Sequence, residues 1–262
     1  MSDLTLLLGA VLTISALFAA AWAWARKIDN YSIVDTLWAF GIALSGITFS
    51  LFGNGELPKR LVAGSLAAFW GIRLGSHLAK RIKKHHPEED SRYQKLREVW
   101  HGREASAFFW FFQAQALSVL LLALPYFLVA RDSNPWGILE TIGLTVALIG
   151  IAGESLADHQ LSSFIKRAKN PMAVCKAGLW RYSRHPNYFF EMVIWIGIYL
   201  FACGSAYGWA TFFAPAIITY LLLEVTGIPP SEASSIKKRG AAYLDYQKTT
   251  SSFIPLPPKK SS

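Results

Sequence analysis

The sequence predicts an all-α integral membrane protein, and three observations support this fold class. Apolar residues make up 53% of the 262-residue chain, whereas charged residues make up only 16%. Several apolar runs reach the roughly 20 residues that a helix needs to cross a bilayer. No stretch has the alternating pattern of a half-buried strand. We therefore expect a single integral-membrane domain over residues 1–262.

The apolar runs predict seven transmembrane helices followed by a polar tail. No basic segment precedes the first run and further spans follow it, so we expect a retained helix rather than a cleaved signal peptide. The tail, residues 229–262, is expected to contain a short polar helix at about 232–248. The predicted spans lie near residues 3–25, 32–52, 61–80, 105–130, 136–158, 187–203 and 207–228.

The distribution of basic residues predicts the orientation of these spans. When loops are assigned to alternating sides, 22 of the 26 Lys and Arg residues fall on one side and three on the other, with Arg73 inside a span. Because loops rich in Lys and Arg stay in the cytoplasm, we expect the N-terminus outside and the tail in the cytoplasm. The same distribution explains the net charge of +9 without a nucleic-acid partner.

A basic stretch at residues 178–191 leads directly into the sixth predicted span. Pro186 suits the first position of a helix, where no backbone donor is needed. The positive end of that helix would converge with Arg181, Arg184 and His185 on one point, which favours a phosphate group. The simpler alternative is a basic anchor that holds a transmembrane helix at the interface.

Ionisable residues within the spans predict a polar cavity that opens toward the cytoplasm. A charge at bilayer depth is costly, so each such residue is a functional candidate. One alternative is that Arg73 neutralises Asp35 or Glu191 in a structural ion pair. Another is that Glu154 and Asp158 are solvated at the interface. The candidate residues are Asp35, Arg73, His77, Glu154, Asp158, Glu191 and Glu224.

Tyr93, in the loop at residues 80–104, is a candidate proton donor. It follows Arg92, and a nearby cation lowers the cost of forming a phenolate. The alternative is an ordinary aromatic residue of an amphipathic loop. Glu140, near the outer end of the fifth span, is expected to lie at the interface.

Familiar cofactor and metal motifs do not occur in the sequence. No group of His, Cys and Asp has the spacing of a zinc site, so we expect no metal. No Gly-X-Gly-X-X-Gly loop follows a strand, so a nucleotide would bind among helix ends and arginines rather than in a Rossmann domain.

Several spaced motifs together resemble the steroid 5-alpha-reductase family, and in particular its bacterial membrane branch. The resemblance extends from about residue 30 to 258 with the motifs in one order. It implies a seven-helix reductase of the bacterial inner (cytoplasmic) membrane. The matching positions are Ser32–Trp38, Trp70–Leu74 with His77, Asp90–Tyr93, Gly178–Tyr188 with Glu191, Trp195 and Gly197, Arg239–Gly240, Tyr243, Tyr246–Gln247 and Phe253–Pro255.

The resemblance implies that NADPH transfers a hydride to a carbon–carbon double bond conjugated with a carbonyl. An acid polarises that carbonyl and supplies a proton. The substrate would be lipophilic, with steroids as one class, and would enter from the bilayer lipids. Carried over by position, the residues implied to bind the cofactor are Arg73, His77, Asp158, Arg181, Arg184, His185, Asn187, Tyr188, Glu191, Lys238 and Tyr243.

The chain departs from the steroid-reducing members on the substrate side. It lacks their Gln-Glu pair in the second span, and Trp70 stands where they carry a Tyr. Glu154 replaces an Asn four residues before Asp158. We therefore assign the proton donor to Asp35 or Tyr93, and we expect a flat apolar enone or lipid as substrate.

Two other functions are consistent with parts of the sequence. The Arg-His-Pro-X-Tyr turn also resembles the isoprenylcysteine carboxyl methyltransferases, which use S-adenosylmethionine. Those enzymes place a Glu-Glu pair before the final tyrosines, whereas here Ala233 follows Glu232. A non-catalytic lipid-binding protein is the third hypothesis, and it leaves the charges within the spans without a role.

Overall fold

The computed structural model describes residues 2–168, 170 and 172–259, and these residues are largely helical. Short 3₁₀ turns occur at Gly178–Arg181 and Gly208–Phe212, and a π-helical turn occurs at Leu221–Val225. The α-helices of the described residues are α1 (Asp3–Lys27), α2 (Ile33–Phe52), α3 (Leu57–His85), α4 (Ser91–Val99), α5 (Glu104–Arg131), α6 (Ile138–Arg167), α7 (Pro186–Ala202), α8 (Phe213–Tyr220), α9 (Ile228–Arg239) and α10 (Ala241–Thr249).

Five helical stretches in the described part of the chain are long and apolar enough to cross a membrane. This finding confirms the predicted all-α membrane protein. Two other predicted spans correspond to α3, a 29-residue helix with a basic last turn, and to α7, a shorter apolar helix of 17 residues. The five stretches are Asp3–Lys27, Ile33–Phe52, Glu104–Arg131, Ile138–Arg167 and Gly208–Arg239.

Besides shifts of a few residues at other helix ends, the helices differ from the prediction in the following ways. Helix α6 continues to Arg167, nine residues beyond the predicted end, because residues 159–167 mix polar and apolar side chains but contain no glycine or proline to stop the helix. Helix α4 lies in a loop where no helix was predicted. The predicted single helix at 232–248 is two helices, since Gly240 adopts a φ of 52°, which favours glycine.

The helices of the described residues cluster into two compact units. The single integral-membrane domain over residues 1–262 stays a prediction. The first unit comprises residues 2–137 and 204–208 and contains α1 to α5. Helix α2 packs there on α3, α5 and α1. Small residues allow α2 and α3 to approach closely, because a Cβ on Gly71 would collide with the Ala39 backbone.

A buried ion pair joins the start of α3 to the end of α5 in the first unit. Lys59 is 0% exposed, and its ammonium pairs with the carboxylate of Asp132, the residue that caps α5. The Asn134 side-chain amide also donates to Asp132 Oδ1, over 2.8 Å. The structure therefore buries Lys59 as a tie between two helix ends.

The second unit comprises residues 138–203 and 209–259, within the described range, and is built on α6 and α7. These two helices pack closely because Gly143 lies against Phe201 and Gly197 lies against Ala147. After α8 and the π-helical turn Leu221–Val225, Gly227 caps the start of α9, and α10 follows. Glu140, expected at the interface, is buried with 2% exposure.

We predict that Lys59→Met destabilises the protein, because it leaves the Asp132 carboxylate buried without its cation. Breaking a buried pair in this way costs about 3–5 kcal/mol. Thermal unfolding in detergent should show a clear fall in Tm, largely restored in the double variant with Asp132→Leu. Exposed Lys95→Met is the control. A wild-type Tm in Lys59→Met would contradict the structural role of the pair.

Candidate functional site

The first polar cluster is in the first unit, where α4 contacts the start of α2. Tyr93 Oη donates a hydrogen bond to Asp35 Oδ1 over 2.6 Å, and Arg92 Nη2 donates to Asp35 Oδ2 over 2.7 Å. Arg92 Nε also donates to Asp90 Oδ1 over 3.0 Å. The two residues that the sequence proposed separately as proton donors therefore form one hydrogen-bonded pair.

Backbone and side-chain contacts hold α4 in place against the start of α2. The Asp90 side chain caps α4 by accepting from Arg92 N over 3.0 Å. The Asp90 N–H donates to Ser32 Oγ over 2.9 Å, and the Tyr31 N–H donates to Glu89 Oε1 over 2.6 Å. This attachment explains why a short, polar helix keeps a fixed position.

The phenol of Tyr93 stays protonated at neutral pH. Its side chain is only 3% exposed, and burial, followed by the neighbouring Asp35 carboxylate, raises the pKa of Tyr93 well above its ordinary value. Asp35 accepts from two donors, and its side chain is 24% exposed. Asp35 is therefore the more accessible member of a pair whose proton resides on Tyr93.

Aromatic and basic side chains extend from this cluster along α2 and α3. Trp38 and Trp70 meet edge to face at 5.9 Å between ring centroids, and Trp38 Nε1 donates to Ser118 Oγ over 2.9 Å. Further along α3, Arg73 is half-buried and His77 is exposed. Arg73 and His77 belong to the first unit, whereas the other implied cofactor residues belong to the second.

The second polar cluster surrounds Glu232 in the second unit. Arg184 Nε donates to Glu232 Oε1 over 2.6 Å, and Gln247 Nε2 donates to Glu232 Oε2 over 2.8 Å. Arg184 Nη1 donates to the carbonyls of Gln247 and Thr250, over 3.1 and 2.6 Å. The guanidinium thus joins the start of α7 to both tail helices, a role that the sequence did not assign.

His185 completes this cluster as a neutral imidazole. Its Nε2 lies 3.3 Å from Glu232 Oε1, and its ring stacks on Tyr188 with centroids 5.3 Å apart. Burial lowers the pKa of His185 to about 4, and Arg184 acts in the same direction, whereas Glu232 opposes them. Because the carboxylate can only accept, we infer that the imidazole proton is on Nε2 and that Nδ1 is left as an acceptor.

The tail is fastened to the loop before α7 by backbone contacts. Ser183 forms an isolated parallel bridge with Ser251, and Ser183 Oγ donates to the Phe253 carbonyl over 2.8 Å. Tyr246 Oη donates to the carbonyls of Trp180 and Ser183. The Tyr246-Gln247 and Phe253 positions of the tail motif therefore act together with the 178–191 stretch.

The first turn of α7 holds the polar groups that point most directly to a ligand. The Oδ1 atom of Asn187 is buried and has no hydrogen-bond partner in the described part of the chain. Glu191 is buried one turn later, and Glu154 is buried on α6, whereas Asp158 is exposed. A buried amide oxygen without a donor is uncommon, so this atom is suited to accept from a bound molecule.

The remaining predicted residues lie around this helix start and on the tail. Arg181 is exposed at the end of a 3₁₀ turn, and Lys238 is exposed in the last turn of α9. Tyr243 is buried, and burial raises its pKa to about 12. In the described residues, no group of three or more His, Cys, Asp or Glu could hold a metal ion.

Glu232 is a central residue of the second cluster to which the sequence analysis assigned no role. It was considered only as half of a missing Glu-Glu pair, yet it binds Arg184, His185 and Gln247. The available signal was a carboxylate near the start of a basic tail, about one helix length before the final tyrosines.

Together, the fold and the two clusters define a helical membrane protein with polar groups gathered at helix ends. Residues 21–250 match the profile of a family described as protein of unknown function (DUF1295), and the chain belongs to this family. An uncharacterized protein of Schizosaccharomyces pombe is 26% identical over 220 residues, which cover 73% of this chain. The match spans 64% of that relative's length. No solved structure matches the chain.

We predict that His185 makes the protein less stable in acid. The unfolded chain takes up a proton near pH 6.5 whereas the folded state takes it up only near pH 4, so stability falls as the pH drops between these values. At pH 5 the loss is on the order of 2 kcal/mol relative to pH 7.5.

The measurement is Tm at pH 7.5 and pH 5 in wild type, His185→Gln and the control His101→Gln. Glutamine retains a donor for Glu232 but does not titrate, so its Tm should fall less in acid. An equal acid-dependent fall in wild type and His185→Gln would show that His185 does not carry this effect.

Proposed function

We propose that the chain is a seven-span protein of the bacterial inner membrane, with α3 and α7 as spans in addition to the five apolar stretches. The N-terminus would be outside and the tail in the cytoplasm. The strong bias of Lys and Arg toward one set of loops supports this orientation. The basic last turns of α3 and α6 agree with it.

We further propose that the protein is an NADPH-dependent reductase of a conjugated carbon–carbon double bond in a lipophilic substrate. The observation that carries this proposal is the buried Asn187 Oδ1, which lacks a donor in the described residues at the start of α7. A carboxamide N–H of a nicotinamide is a suitable donor for such an atom. The adjoining basic loop suits the phosphates of the same molecule.

The second unit offers groups that could bind such a cofactor while its existing ion pair stays intact. Arg181 is exposed beside the helix start and available for a phosphate, whereas Arg184 is engaged with Glu232. The neutral His185 contributes an imidazole acceptor and holds the Tyr188 ring by stacking. When bound, the cofactor supplies a hydride. The chain itself binds and orients the cofactor and the substrate, and it excludes water from them.

We propose the Asp35–Tyr93 pair as the proton source of the reaction. The Asp35–Tyr93 pair holds one transferable proton on Tyr93 Oη, 2.6 Å from Asp35 Oδ1. We assign Asp35, the less buried member, as the group that reaches the substrate and relays to it the proton of Tyr93 Oη. The relay leaves a Tyr93 phenolate beside the Arg92 cation, and a proton from solvent then restores the phenol. Arg92 fixes the other oxygen of Asp35 and so positions the pair.

We predict that NADPH raises the Tm of the purified protein more than NADH does. At a concentration one hundred times Kd, ligand binding adds about 2.7 kcal/mol of stability. Asn187→Ala and Glu191→Gln should abolish the shift while keeping a folded protein, and Arg181→Gln should weaken it. Gln94→Ala and Lys95→Gln, both at exposed positions, are the controls.

The same titration separates the competing functions. Stabilisation by S-adenosylmethionine alone would overturn the reductase and favour a methyltransferase. If NADPH, NADH and S-adenosylmethionine all leave the Tm unchanged, a non-catalytic lipid-binding protein is favoured. Unchanged NADPH affinity in both Asn187→Ala and Glu191→Gln would show that the cofactor binds elsewhere.

We predict that Tyr93→Phe and Asp35→Asn lower kcat on lipophilic enones by about 10²–10⁴-fold, the usual contribution of a positioned acid. Loss of NADPH absorbance measures the rate. The NADPH-induced Tm shift should remain, because neither residue belongs to the second unit. Wild-type kcat in both variants would remove the pair from the mechanism.

A further inference from the structure

One face of α3 is exposed and carries both apolar and basic side chains. On its opposite face the helix packs closely on α2 through Gly64, Gly71 and Gly75, where added Cβ atoms would collide with α2. With 3.6 residues per turn, seven exposed positions between residues 61 and 84 fall in one stripe about 140° wide. This α3 stripe consists of Leu61, Ser65, Phe69, Ile72, Lys80, Lys83 and Lys84.

The α3 stripe changes from apolar to basic along the helix. Leu61, Phe69 and Ile72 are between 45% and 50% exposed. The segment from Leu61 to Ile72 is about 16 Å long, which is close to half of the roughly 30 Å hydrocarbon core of a bilayer. Lys80 begins the basic part, and helical side chains lean toward the helix N-terminus, so the lysine side chains extend back toward the apolar part. The α3 stripe therefore matches one lipid leaflet, with an apolar part followed by a charged part.

The basic part of the α3 stripe is left without carboxylates. Helix α3 contains no Asp or Glu. In the part of the chain that the structure describes, Lys80, Lys83 and Lys84 form no ion pair, whereas Arg81 pairs with Asp90. The three lysines therefore leave a concentrated positive charge that a bound anion would neutralise.

We propose that the α3 stripe binds an anionic phospholipid of the cytoplasmic leaflet, with an acyl chain on Leu61, Phe69 and Ile72 and the phosphate at the three lysines. Lysine clusters directly beside the cytoplasmic end of a membrane helix attract anionic lipids. A zwitterionic lipid offers the same acyl chains, but its own cation opposes the lysines. The proposal rests on the proposed span and orientation of α3, and not on the proposed reductase activity.

The test is photolabelling of the purified full-length protein in phosphatidylcholine vesicles. The vesicles contain a trace of phosphatidylglycerol or of phosphatidylcholine with a diazirine in an acyl chain, and labelled peptides are mapped by mass spectrometry. Since each lysine near the phosphate contributes roughly fivefold, the phosphatidylglycerol probe should label residues 61–72 on the order of tenfold to hundredfold more strongly. Unlabelled phosphatidylglycerol should compete with the probe, whereas inorganic phosphate should not.

Charge-matched variants separate this site from a general effect of net charge. The triple variant Lys80→Gln, Lys83→Gln and Lys84→Gln should lose the preference for phosphatidylglycerol, because the phosphate has no cation left to meet. Replacing the same lysines by arginine retains the charge and should keep the preference. The control replaces three exposed lysines elsewhere and should label like wild type. Its substitutions are Lys95→Gln, Lys166→Gln and Lys259→Gln.

Equal labelling of residues 61–72 by both probes would overturn the anionic-lipid site while leaving α3 as a span. If neither probe labels this segment, the proposed span is wrong and the lipid site falls with it. A preference retained after loss of the three lysines, or lost equally in the control, would also overturn the site. Tm values of the variants close to wild type establish that a loss of preference reflects the α3 stripe.

Discussion

The need to satisfy polar groups in a mostly apolar chain is the constraint on which the structure depends. A buried charge or hydrogen-bonding group without a partner is costly, and more so where lipid replaces water. The chain gathers its buried polar groups into small clusters at helix ends. Lys59 pairs with Asp132, Asp35 binds Tyr93 and Arg92, and Glu232 binds Arg184 with two further partners. Each cluster fixes a helix terminus.

These clusters also determine which groups remain available for chemistry. Arg184 uses its guanidinium on Glu232 and on two backbone carbonyls, so it acts first as a structural tie. Arg181, three residues earlier, is exposed. A basic stretch that looks uniform in sequence is therefore divided between a residue that holds the tail and one that can meet an anion. The neutral state of His185 adds an acceptor rather than a charge.

The sequence predicted the parts of the fold that depend on local composition. Apolar runs located the helices, and Pro186 located the start of α7 to the residue. The continuation of α6 to Arg167 was missed because the apolar run ends before the helix does. Helix α4 was missed because its position depends on contacts with Ser32 and Tyr31, some 58 residues earlier in the chain.

The candidate site shows the same division between local and long-range information. Asp35 was chosen as a charge within a predicted span, and Tyr93 was chosen because it follows Arg92. Their contact joins positions 58 residues apart, so neither criterion could predict it. Glu232 and Arg184 are 48 residues apart in sequence. Neither their residue types nor their spacing predicts that they form an ion pair. Residue type indicates that a group needs a partner, whereas only the packed helices decide which partner it receives.

Several buried polar atoms of the described residues escape this pairing, among them Thr36 Oγ1, Tyr126 Oη, Ser205 Oγ and Asn187 Oδ1. Asn187 Oδ1 lies beside basic residues at a helix start, where an anionic ligand with an amide would be favoured. Asn187 is the member of this set that directly follows the basic loop before α7, and for this reason the cofactor proposal is built on it.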